Sequence, residues 1–182
     1  PYPVCRWAQP PAECVLQLKR EHSFSNESIE SIVIETFQEA TTLGRFPPRD
    51  SDGAQYSIVW SVAAALADGD LKLPQVHPDR LGDPEIIDLG QKIRCTAAPD
   101  IQARFPADCL SRVKIVLKDG RQLQSEALGA RGDYTNPLSD EEIDTKFAAL
   151  ITPLLGSEKT EQFSRLLDRF EHHRSQDIFA FL

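Results

Sequence analysis

Near the start of the chain, in PYPVCRWAQPP, Cys5 and Arg6 stand side by side. The guanidinium of Arg6 presents a planar donor fork that suits a dicarboxylate. A second group lies in AQYSIVWSVAAALADG, where Gln55 and Ser57 fall at the expected start of a helix. Unpaired N–H groups and the helix dipole favour an anion there. Trp60 sits within the same run. Its indole N–H is a donor only, so its service to a site would be shape or a hydrogen bond to a carboxylate. Each residue also has a plainer reading. A lone cysteine near a terminus is ordinarily inert, and Arg6 beside it would be structural. Gln55 and Ser57 would do no more than cap a helix, and Trp60 would be an aromatic of the core.

Other chemistries find little support. The four cysteines, Cys5, Cys14, Cys95 and Cys109, form no C-x-x-C pair, and no histidine stands at zinc-finger spacing from them. The expectation is reduced, mostly buried thiols in a cytoplasmic protein, with no metal. His22 and His77 are isolated, and the adjacent His172 and His173 would point in different directions from a helix into solvent. Arg131-Gly132-Asp133 is read as a loop, and the acidic run Asp140 to Asp144 as the negative first turn of a helix. A net charge of −8 argues against nucleic acid and anionic membrane surfaces as main partners, since both call for a basic face. A small anion needs only a local cluster of donors. The longest apolar run, from Ile58 to Ala67, is too short to span a bilayer, which takes roughly 20 residues. The sequence contains no methionine, not even at its first position, and is expected to be part of a longer protein.

The elements that would position these residues follow from pattern. Pro10 and Pro11 suit a first turn, and Cys14, Val15 and Leu18 make the apolar stripe of a helix over about 11–21. SIESIVIETF alternates as a strand. The apolar run reads as a buried helix closed by Asp68-Gly69. Asp83 caps a helix beginning at Pro84. RCTAAPDIQARFP reads as an irregular or bulged strand. SRVKIVLKDGRQLQSEAL is a β-hairpin turning at Asp119-Gly120. Ser139 and Glu142 form a capping box for a helix that Pro153 limits, and a last helix covers about 157–172. The whole reads as α+β, a small antiparallel sheet packed with helices, without a parallel βαβ arrangement.

Four stretches in this order, YPVC, AQYSIVWSVAAALADGD, DPEIIDLGQKI and RVKIVLKDGRQLQSEALGARGDYTNPLSDEEIDTKFAAL, resemble the C-terminal half of the MmgE/PrpD family. That family includes 2-methylcitrate dehydratases, cis-aconitate decarboxylases and iminodisuccinate-processing enzymes. The resemblance implies a large helical domain, which carries the active-site histidines and lies outside this chain, and a smaller α+β lid. Residues 1–138 would be the lid, and 139–182 the helices that dock on the absent domain. It also implies no cofactor and a homodimer. Cys5 would lie in the segment that approaches the substrate, after a lysine preceding Pro1. Gln9 stands where many relatives have histidine, and Trp60 where tyrosine is common. These two departures weigh against a decarboxylase or a methylcitrate dehydratase.

The resulting expectation is the lid of a lyase, dehydratase or decarboxylase, or of an epimerase. It would act on a small di- or tricarboxylate by proton abstraction next to a carboxylate and be inactive on its own. Cys5, Arg6, Gln9, Gln55, Ser57 and Trp60 are the candidate substrate-binding residues. The competing expectation is a non-catalytic α+β module that pairs with a partner chain through an exposed apolar face, contributed by the apolar helix and the tail DIFAFL.

Overall fold

The computed structural model describes residues 1–174, 176 and 179. These fall into two compact units, Tyr2–Asn136 and the helices from Pro137 onward. The first is built on a sheet of four strands, β1 (Ile29–Thr36), β2 (Ile93–Ala97), β3 (Ser111–Leu117) and β4 (Gln122–Gln124), in the order β2-β1-β3-β4. Strict alternation makes the sheet two-faced. Val113, Ile115 and Leu117 are buried while Arg112, Lys114 and Val116 between them are only half so. In register, Ile32 faces Ile115 and Ile34 faces Val113, so the apolar rows of the two central strands coincide.

Helix α1 (Gln9–Glu21) and helix α3 (Ile58–Asp68) supply the other half of the core, with α4 (Pro84–Gln91) packed on α3. From α3, Ile58 and every residue from Trp60 to Leu66 are buried. Its closing residue is Gly69 at φ 69°, the left-handed conformation that glycine adopts without strain. A satellite cluster gathers Phe37, Ile101, Cys109 and Leu110, with Trp7 and Phe105 against it. Trp7 meets the Phe37 ring edge-on at 5.1 Å, and Phe105 stacks on Phe37 at 4.3 Å.

The α+β class holds, with several differences of detail. The sheet is mixed, because β2 runs parallel to β1 at the edge, Ile32 opposite Ile93. The parallel crossover carries three helices between the two strands, a long connection that local pattern does not announce. The stretch 94–106 is not a single irregular strand: β2 stops at Ala97, and a short helix α5 (Pro99–Gln102) begins at its proline. The apolar helix is interrupted at Ser57, which ends α2 (Ser51–Tyr56) and starts α3. Because α3 is enclosed, it adds nothing to an exposed apolar face.

In the second unit, α6 (Asp140–Leu155) opens with the expected capping box. Glu142 N–H donates to Ser139 Oγ at 3.3 Å, and Ser139 N–H to Glu142 Oε2 at 2.9 Å. Pro153 lies inside its last turn, and the helix runs on to Leu155. Helix α7 (Ser157–Leu167) stops short of 172, and a single 3-10 turn covers Phe170–His172. The Phe147 and Phe163 rings lie 5.8 Å apart. Leu154 is 78% exposed. Of the tail DIFAFL, all but Phe179 lies outside the described residues.

Candidate functional site

The leading segment is fastened on two sides. Cys5 N–H donates to the Gln55 carbonyl at 2.8 Å, and Trp7 is held in the aromatic cluster. Between them Cys5 starts a 3-10 turn, Arg6–Ala8, that leads into α1. The Cys5 thiol is free and half-buried. Gln9 sends its Nε2 to the Val4 carbonyl at 3.3 Å, which braces the same turn, while its Oε1 is buried without a partner among the described residues.

The α2–α3 junction is the surface against which this segment lies. Asp50 caps α2, its Oδ1 accepting from Gly53 N–H at 2.7 Å. Ser57 is buried and caps α3, its Oγ accepting from Trp60 N–H at 3.2 Å and its carbonyl from the Ser61 hydroxyl at 2.9 Å. The turn before Arg45 crosses the junction at very short range. Ile58 N–H donates to the Leu43 carbonyl at 3.3 Å. Gly44 has φ 71°, and a Cβ there would stand 2.4 Å from the Tyr56 carbonyl oxygen and 2.5 Å from Ser57 Cα. Only glycine fits.

Three candidates, Cys5, Gln55 and Ser57, are thus brought together, with Gln9 behind them. The other two turn elsewhere. Trp60 is fully buried, and its indole N–H donates to the Gln75 carbonyl at 2.9 Å. Arg6 is half-exposed, and its fork is closed on Asp133, Nε to Oδ1 and Nη2 to Oδ2 both at 2.8 Å. Its Nη1 donates to Cys109 Sγ at 3.3 Å. The Asp133 carboxylate holds the Arg6 pKa above its ordinary value. Asp133 belongs to the RGD triplet, which is a loop as its sequence suggests, and a separation of 127 residues leaves no local signal of the pair.

The flank of α1 carries another buried polar contact. The Tyr2 hydroxyl donates to Glu13, and Arg20 Nη2 reaches Glu13 Oε1 at 2.7 Å. Burial pushes the Glu13 carboxyl up, but the Tyr2 and Arg20 hydrogen bonds outweigh it and hold the group below its usual range. Burial, and then the same Glu13 contact, raise the Tyr2 phenol. Burial also pushes the Cys14 and Cys95 thiols up to about 11. Among the described residues, no group of His, Cys, Asp and Glu could hold a metal ion. No helix of those residues is long and apolar enough to cross a membrane. All four histidines are exposed.

Residues 2–172 match the family model described as the MmgE/PrpD C-terminal domain. The chain is similar to the cis-aconitate decarboxylase of Mus musculus, 25% identical over 148 residues that make up 81% of this chain and 30% of that protein. It is also similar to the cis-aconitate decarboxylase of Homo sapiens, 25% identical over 126 residues, 69% of this chain and 26% of that protein. The chain therefore spans less than a third of the curated relatives it matches. With a family match running over nearly its whole length, this chain belongs to the MmgE/PrpD family, of which it carries the C-terminal domain.

Proposed function

We propose that this chain is the lid over the active site of a cofactor-independent lyase or epimerase acting on a small di- or tricarboxylate. The observation that carries the reading is the stitching of Cys5 to Gln55. It sets a half-buried free thiol beside the α2–α3 junction, on a main chain pinned by the Gln55 carbonyl on one side and by Trp7 on the other. A group so restrained is suited to face a ligand bound against the lid, because little ordering remains to be done when the ligand arrives. Proton abstraction next to a carboxylate leaves charge on carboxylate oxygens, and fixed donors stabilise it. The four histidines of this domain are exposed and dispersed. The base would therefore come from a helical domain in the rest of the protein, which this half closes over to exclude water. In the full protein two such subunits would pair. The relatives' name, cis-aconitate decarboxylase, supplies the substrate class to try first.

The experiment follows proton abstraction directly. The full-length protein is incubated in D₂O with a panel of di- and tricarboxylates, and deuterium incorporation and turnover are read by NMR. Exchange or turnover is expected with the full-length protein and not with residues 1–182 alone. In the full-length protein, Cys5→Ala is expected to lower the rate at least tenfold at an unchanged melting temperature. The reading is lost if the full-length protein neither exchanges nor converts any of these acids. That result would favour a non-catalytic module, for which Leu154, 78% exposed, and Phe170, 58% exposed, offer apolar contacts to a partner chain.

A further inference from the structure

Most arginines of the first unit are already committed. Arg6, Arg20, Arg80, Arg104, Arg112 and Arg121 each hold a carboxylate of this chain at 2.7–2.8 Å. Arg45 does not. It is exposed, and among the described residues it has no ion pair or hydrogen bond. Among the described residues Arg49 and Arg94 are exposed and unpartnered as well, so what singles out Arg45 is where its backbone is held.

Its backbone is not loose. On one side Gly44 is pressed against the Tyr56 carbonyl and Ser57 Cα, so closely that no side chain could stand there. On the other side Phe46 is wedged onto α4. A Cβ on Gly90 would come within 2.1 Å of the Phe46 ring, and that ring lies 6.4 Å from the Trp60 ring. Arg45 is therefore carried between two packed residues, on the main chain that crosses residues 56–58. Gln55, the next residue along that stretch, accepts the Cys5 N–H. The free guanidinium and the free thiol are anchored to the same short piece of chain.

We propose that Arg45 is the carboxylate-binding cation of this lid, and that it grips one carboxylate of the substrate. The assignment rests on the lid reading above and deepens it. Arg6, the cation that sequence suggested for this task, has its fork occupied by Asp133. A guanidinium with all its donors unspent loses no protein contact on taking a carboxylate in bidentate fashion. Its fixed backbone lowers the ordering cost of doing so.

The test compares Arg45→Gln with Arg49→Gln in the full-length protein. Arg49 is likewise exposed and unpartnered, but it follows the packed Phe46 segment rather than touching the junction. Binding of cis-aconitate is measured by calorimetry, alongside the deuterium exchange described above. Arg45→Gln is expected to weaken binding at least tenfold and Arg49→Gln less than twofold. Arg45→Lys should recover part of the loss. All three should melt with wild type, since neither arginine has a partner to lose. If wild type binds cis-aconitate and Arg45→Gln binds it equally well, or if both glutamine variants weaken it equally, the assignment to Arg45 is overturned while the lid reading stands. If wild type neither binds nor exchanges any carboxylate of the panel, the lid reading itself fails and the assignment goes with it.

Discussion

Trp60 shows how a single residue can satisfy two readings in sequence and only one contact in space. Its ring is fully buried, and its one donor is spent on the Gln75 carbonyl. Trp60→Phe removes the hydrogen bond, orphans that carbonyl and leaves a void. We expect a loss of about 2–3 kcal/mol, read from denaturant unfolding. A variant as stable as wild type that nonetheless lost turnover would move the indole from the core to the site. Glu13 makes a prediction of a different kind. Its pKa is lower in the folded protein than its reference value of 4.5. The stability it contributes is therefore fully present above that value and is lost as pH falls through the folded one. Melting temperature should drop below about pH 4.5, and Glu13→Gln should drop less steeply there. Parallel acid limbs for the two proteins would mean that Tyr2 and Arg20 do not stabilise the charged carboxylate.

At the scale of elements, the decisive piece is the α2–α3 junction and the turn laid across it. Gly44→Ala would place a methyl group against main chain at 2.4 Å and force an L residue to φ 71°. Neither can be relieved by rotating a side chain. We expect a loss of about 2–4 kcal/mol and, because Arg45 moves with the turn, weaker carboxylate binding as well. Unchanged unfolding of Gly44→Ala would show that the turn does not cross the junction as described. Nothing in the sequence announces this contact, and the reason is physical. The hairpin at Asp119-Gly120, the caps at Asp83 and Ser139 and the stop at Gly69 are local, each written within a few residues by turn and cap chemistry. The buried rows of β1 and β3 were legible for the same reason. The parallel pairing of β2 with β1, the Gly44 crossing and the Arg6–Asp133 pair depend on residues far apart in the chain. No periodicity encodes them. Of the site candidates, Ser57 is the cap that its place at a helix start predicts, Gln55 falls instead in the last turn of α2, and Cys5 rests on the family resemblance. Arg45 carries no sequence signal, because what distinguishes it is the Gly44 crossing that holds its backbone at the junction, a contact between residues apart in the chain.

For the whole molecule, the distribution of burial separates the two units by what each can do alone. Nearly all the buried apolar side chains lie in Tyr2–Asn136, where two central strands, α1, α3 and α4 close one contiguous core. The helices from Pro137 onward have Thr160 and Leu166 as their only buried residues among those described, and they expose Ile143, Leu154 and Phe170. Isolated helices of that length are marginal in water, where stability comes mainly from packing an apolar face. Expressed separately, residues 1–138 should unfold in one cooperative transition, with a denaturant slope appropriate to a domain of that size. Residues 139–182 alone should show weak helicity that rises with concentration as their apolar side chains find one another. If instead 1–138 failed to fold while 1–182 melted cooperatively, the helices would be an integral part of the core. The boundary at the capping box would then mark a change of local structure, not of folding unit.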